Sequence, residues 1–150
     1  MPTIEPAGPA MVDTLRAFLA RADLTVSGLD APGIRLWLLM DGTTVVGSTG
    51  FERSGEHALI RSVAVDDTLR GQGHGERLAR YALEKAAAEG ARRAWLFSRR
   101  SGRFWQRLGF EPADRARLAS VLSDTYQVRL FARTGQLDRE VAWSRGLEIG

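Results

Sequence analysis

Hydrophobic positions along this chain follow two periods, and the switches between them set the expected order of elements. Met11, Leu15, Phe18 and Leu19 recur at helical spacing in 9–21, which predicts an amphipathic helix after a short edge strand at 3–6. A loop containing glycine and proline follows at 25–33. Segment 34–40 is rich in strand formers, Asp41-Gly42 is a hairpin signal, and 44–52 resumes with Val45, Val46 and Phe51, predicting two antiparallel strands. Ser54-Gly55 turns the chain into a buried strand at 57–65, broken in the middle by a charged residue, Arg61. The period then becomes helical, with Leu78, Ala82, Leu83 and Ala86 forming a stripe over 75–89 that Gly90 ends. A short apolar strand at 94–97 and a helix at 101–108 come next. Beyond Pro112, segments 118–122 and 126–132 read as helical and 140–143 as a final strand.

The strand-helix-strand passage through 58–97 implies a right-handed crossover, so strand 91–97 is expected parallel to strand 58–65. The predicted fold is a mixed α/β sheet, an antiparallel meander leading into a parallel strand pair with flanking helices. A length of 150 residues suits one domain.

Composition narrows the function. Lys85 is the one lysine among 21 basic residues, and the 18 acidic ones are interspersed, leaving a net +3 without the cleared basic stripe that nucleic-acid binding needs. With no cysteine there is no disulfide scaffold, thiolate nucleophile or cysteine-ligated metal. His57 and His74 are too few for a multi-histidine metal site, so no metal is expected. The apolar run at 36–40 is far short of the roughly 20 residues a membrane span needs, and the N-terminus lacks a signal-peptide pattern. The expectation is a cytoplasmic protein without membrane or nucleic-acid partners; a homodimer is compatible with all of this.

The sequence Arg70-Gly71-Gln72-Gly73-His74-Gly75 lies between the buried strand and its helix. Three glycines within five residues at a helix start leave backbone N–H groups unobstructed, an arrangement suited to a phosphate. Glu76 after Gly75 breaks both the Walker A and the dinucleotide-binding patterns. The competing reading is a glycine-rich loop with no function.

Arg70-x-x-Gly73-x-Gly75, preceded by Arg61-Ser62-Val63-Ala64-Val65, resembles the pyrophosphate loop and central strand of the GNAT superfamily of acetyl-CoA-dependent N-acetyltransferases. Phe104-Trp105-Gln106-Arg107-Leu108-Gly109-Phe110 is similar to that family's downstream segment, and the resemblance covers about residues 3–112. A narrower resemblance, to the members encoded beside arsenic-resistance genes, rests on Leu59-Ile60-Arg61-Ser62-Val63, Gly50-Phe51-Glu52 and Phe104-Trp105-x-Arg107-Leu108-Gly109. Those relatives often carry Leu-Cys-Pro where this chain has Leu130-Phe131-Ala132.

The resemblance implies acetyl-CoA as co-substrate, a small-molecule amine as acceptor and a GNAT-like acyl-CoA N-acyltransferase fold. It implies that the backbone of Val63, Ala64 and Val65 receives the pantetheine arm and polarises the thioester carbonyl. The amides of Gly71, Gln72, Gly73, His74 and Gly75 would hold the pyrophosphate, with Arg70 adding a charge-assisted contact. The side chains of Val63 and Val65 read equally well as core, and His74 as a helix-start residue. Trp105 stands where the family often has tyrosine, and indole gives up no proton at useful pH. Ser98 and solvent are then the proton sources, solvent being favoured; Trp105 packs against the cofactor arm or serves as core.

For the base, Glu52 ends one strand and His57 begins the next, so the two are expected to face each other across the hairpin and relay a proton. Glu52 also counts among acceptor-binding candidates. Arg61 must be paired or face a polar cavity. It is read either as a fork for an anionic acceptor group, or as an internal ion pair with Glu52 or Glu56. The leading function is transfer of acetyl to the amine of a small amino-acid-like acceptor by direct attack. The alternatives are acetylation of a protein N-terminus or lysine, and a non-catalytic CoA-binding regulator.

Overall fold

The computed structural model describes residues 2–22, 24–25, 28–31 and 33–147. Seven strands form one sheet in the order β1-β2-β3-β4-β5-β7-β6. The meander is β1 (Thr3–Pro6), β2 (Ile34–Asp41), β3 (Thr44–Ser54) and β4 (His57–Val65), all antiparallel neighbours. Gly42 and Gly55 take positive φ at its two tight turns, where a side chain would be strained. After α2 (His74–Ala88) the chain returns as β5 (Arg93–Phe97), parallel to β4, as the crossover argument requires. The family-like mixed α/β fold expected from the sequence is therefore the fold observed.

α1 (Val12–Arg21), preceded by a 3-10 turn at Pro9–Met11, and α2 cover opposite faces of the meander. Leu15, Phe18 and Leu19 of α1 pack on Leu38, Val45 and Ala64. Ala79, Ala82, Leu83 and Ala86 of α2 pack on Phe51, Ala58 and Ile60. A Cβ at Gly47 would lie 2.9 Å from Leu78 Cδ1, so glycine there lets α2 lie close on β3. Burial of a side chain such as Leu78, wholly inaccessible, contributes about 1.5–3 kcal/mol.

The C-terminal third departs most from expectation. α3 (Gly102–Arg107) is followed by β6 (Glu111–Ala113), an edge strand with no counterpart in the sequence reading. α4 (Arg115–Val121) and α5 (Tyr126–Thr134) form where helices are predicted, and Leu118, Leu122 and Val128 close over Leu59 and Trp95. The final strand is β7 (Ala142–Gly146), two residues later than the expected 140–143. Glu140 instead ends a 3-10 turn, Gln136–Arg139, its N–H donating to Leu137 O at 3.2 Å.

Candidate active site

Two irregularities in β4 open the sheet. Ser48 pairs with Ala64 and Gly50 with Arg61, so Thr49 faces both Ser62 and Val63, a bulge with Ser62 at φ +63°. Left-handed backbone at a serine costs about 1–3 kcal/mol and persists only where neighbours hold it. Here Ser48 Oγ donates to Ser62 O at 2.6 Å, and Thr49 Oγ1 to Leu78 O at 2.9 Å. The second irregularity is that β4 pairs with β5 only through His57, Ala58 and Leu59, whereas β5 continues to Phe97 along β7. Among the described residues no ladder joins β4 to β5 beyond Leu59, and the two strands part. Backbone N–H and C=O groups on that side of β4 are left for another partner.

A cleft of 530 Å³ occupies this opening. Val63, Ala64 and Val65 form one wall, Phe104 and Trp105 another, and Arg70, Gly71, Gly73, His74 and Gly75 its end. Of the sequence-derived cofactor candidates, Gln72 alone does not line it; its side chain is exposed. Gly73 is the N-cap of α2, at φ +83° and without a side-chain cap, so the first-turn amides of a 15-residue helix have no side-chain acceptor. Hydrogen bonds from Thr68 N and Oγ1 fix Asp66 before the turn and hold its carboxyl below the usual range. Arg70 pairs with Asp67 at 2.9 Å, both largely exposed. Trp105 is buried, edge-on to Phe104 at 5.0 Å and to Phe110 at 5.3 Å, so it is both a core residue and cleft wall.

A second cleft of 760 Å³ adjoins the first, sharing Ala22, Leu24, Arg70 and Ser101 with it. Its far side is α5, through Gln127, Leu130, Phe131 and Thr134, and its polar lining includes Ser98, Arg99, Arg100 and Glu140. Ser98 Oγ accepts from Ser101 N at 3.0 Å, and Ser98 O from Trp143 Nε1 at 2.9 Å, which fixes the loop leading into α3.

Glu52, His57 and Arg61 lie elsewhere than expected. The two-residue turn Gly55-Glu56 pairs Ser54 with His57, and Glu52 with Leu59, so Glu52 and His57 are not opposite one another. His57 Nδ1 accepts from Trp95 Nε1 at 3.0 Å. Six residues separate His57 from Val63, about 20 Å along a strand, which removes the imidazole from the cleft. Glu52 Oε1 accepts from Tyr126 N at 2.6 Å, and Oε2 from Gln127 N and Arg61 Nη1, both at 3.1 Å. The carboxylate thus caps α5 from the neighbouring strand, where it also meets the helix dipole favourably. Arg61 lines neither cleft. Of its two readings, the buried ion pair with Glu52 is the one present. Burial pushes its guanidinium down from the ordinary value, and the Glu52 carboxylate opposes that shift. The proton relay through Glu52 and His57 has no geometric basis.

The α5 lining and Glu140 were missed by sequence reasoning. Periodicity finds the helix but not the face it turns to a cleft whose opposite wall, residues 97–101 and Arg70, lies far back in the sequence. Among the described residues no group of three or more His, Cys, Asp or Glu side chains is arranged to hold a metal, and no helix is long and apolar enough to cross a membrane.

The chain matches the sequence profile of the acetyltransferase (GNAT) family over residues 5–110, and it belongs to that family. Its members are N-acyltransferases that draw on an acyl-CoA. A search of curated proteins finds no significant match. Among solved structures, a Mycobacterium tuberculosis protein in complex with CoA is similar at TM-score 0.78 and 18% identity, over 98% of this chain and 100% of that one. The Neisseria gonorrhoeae N-acetylglutamate synthase, complexed with coenzyme A and N-acetyl-glutamate, matches at 0.74 and 17%, over 99% of this chain but 35% of its own. The Escherichia coli ribosomal-protein-S18-alanine N-acetyltransferase matches at 0.70 and 15%, over 100% of this chain and 96% of its own.

Proposed function

We propose that this chain transfers an acetyl group from acetyl-CoA to the amine of a small amino-acid-like acceptor by direct attack. The observation that carries the reading is the meeting of two clefts at Arg70 and Ser101, one ending at an uncapped glycine turn and the other walled by polar side chains. The residues fit the cofactor: first-turn amides of α2 suit a pyrophosphate, and the unladdered side of β4 suits an extended amide-bearing arm. When bound, acetyl-CoA supplies an activated thioester and a thiolate leaving group. The backbone beside the Ser62 bulge is the candidate donor set for charge developing on the thioester oxygen. Phe104 and Trp105 exclude water on one side of the arm. With indole at position 105, the departing thiolate takes its proton from solvent, Ser98 being the side-chain alternative on the second cleft.

The second cleft's volume falls within the range of small-ligand sites, which supports a small acceptor over a protein. Arg99 on its wall, half-exposed and 3.5 Å from Glu140, suits an acceptor carrying a carboxylate. The Leu59–Val63 and Phe104–Gly109 motifs support assignment to the arsenic-resistance-linked members, as a reading of the sequence. The test is release of CoA thiol with acetyl-CoA, the standard amino acids and a peptide with a free N-terminus. Release with a free amino acid is expected; release with the peptide alone favours a protein acceptor, and no release with either overturns the reading.

A further inference from the structure

The second cleft contains a carboxylate whose surroundings leave half of it unused. Glu140 has a side chain only 8% exposed, within a wall that also presents Arg70, Arg99 and Arg100. Its Oε2 accepts from Gln136 Nε2 at 2.5 Å and lies 3.5 Å from Arg99 Nε. Its Oε1 has no partner among the described residues, and no buried side-chain polar atom there lacks one, so Oε1 reaches the accessible wall. The group is also held in place: Arg115 Nη1 donates to the carbonyls of Asp138 and Glu140, and Glu140 N donates to Leu137 O.

An ionised carboxylate can accept about four hydrogen bonds, and on Oε1 that capacity faces the cleft instead of a protein donor. A ligand that completes it must bring N–H donors, preferably charged. Taking the acetyl-transfer reading as its basis, we propose that Glu140 Oε1 receives the acceptor's amino group and orients it toward the shared mouth of the two clefts, where it attacks as the neutral amine after its ammonium proton has passed to solvent. This makes Glu140 a specificity-determining residue, selecting amines over analogues with hydrogen or hydroxyl in the amine's place. Arg70 and Arg99 on the same cleft give the wall both signs, which matches a zwitterion.

The experiment uses the full chain with the amino acid that gives the fastest CoA release, and the same acid with its amine replaced by hydrogen as a competitive inhibitor. In Glu140→Gln the acceptor KM should rise at least about tenfold, the order expected for one charged hydrogen bond, with acetyl-CoA KM unchanged. Inhibition by the des-amino acid should be equal in wild type and variant, because that molecule never uses Oε1. Glu140→Asp keeps the charge but withdraws it by one methylene, and should also raise the acceptor KM should the glutamine variant fold poorly. An unmoved acceptor KM in both variants overturns the proposal, as does equal weakening of amine and des-amino binding, which marks a structural role. Absence of CoA release from every amine in the wild type overturns the transferase reading on which it rests.

Discussion

Replacing Glu52 by glutamine separates a structural role from a catalytic one, because the side chain stays the same size while the charge and one acceptor disappear. In the wild type the pair Arg61–Glu52 is nearly sealed from water, with side chains 1% and 5% exposed. Removing one partner of such a pair leaves a charge buried and costs about 3–5 kcal/mol. The amide still offers one oxygen to Tyr126 N or Gln127 N, but its NH2 group opposes the other, and an unmatched buried amide costs about 1–3 kcal/mol more. Together these come to about 4–8 kcal/mol, and at about 2–4 °C per kcal/mol for a chain of this size the melting temperature should fall by roughly 8–32 °C. Urea denaturation followed by tryptophan fluorescence should give an earlier midpoint at similar slope, and the amides of Tyr126 and Gln127 should exchange faster. An unfolding free energy within about 1 kcal/mol of wild type, as for an exposed pair, would refute the capping argument. Full stability with lost turnover would restore Glu52 as a catalytic base.

Arg61→Lys keeps the charge but loses the guanidinium's reach to Glu52, so stability should drop by about 1–3 kcal/mol, with equal losses of activity on a free amino acid and on its carboxamide. A loss confined to the free carboxylate, measured as kcat/KM on the matched pair, would return Arg61 to acceptor binding. Trp105→Phe should lower stability by about 1–2 kcal/mol through weaker packing on Phe104 and Phe110, with turnover retained within severalfold. A large drop in kcat at unchanged acetyl-CoA affinity would contradict the packing role.

The meander was legible because its signals are local. The strand formers of 34–40, the apolar Val45, Val46 and Phe51, and the glycine turns at Gly42 and Gly55 define hairpins without reference to the rest of the chain. The helix stripe from Leu78 to Ala86 is equally local. What escaped were features set by contacts across the sequence. The Ser62 bulge shifts the in-out alternation of β4 by one, which only the pairing with Ser48 and Gly50 reveals. Whether Glu52 faces His57 depends on how many residues the turn consumes, and a two-residue turn offsets them. The partner that occupies Glu52 is a helix start 74 residues on, so a hairpin-tip carboxylate read in isolation looks free. Glu140 was hidden similarly, since placing it in a strand at 140–143 gave it an alternating neighbour rather than a cleft.

Acyl-CoA binding at the uncapped N-terminus of α2 is open to direct test by calorimetric titration of acetyl-CoA into wild type and Gly73→Val. A Cβ at Gly73 meets no protein atom within 4 Å, so the variant has room to fold and bears only the strain of φ +83°, about 1–3 kcal/mol. Gly73 lines the first cleft at the start of α2, and a branched side chain there crowds the approach of an anion to the first-turn amides; loss of one charge-assisted hydrogen bond is worth about 1.5–3 kcal/mol. Wild type should therefore bind acetyl-CoA, and a folded Gly73→Val should bind it at least about tenfold more weakly; equal affinity in the two proteins would contradict the assignment of this turn.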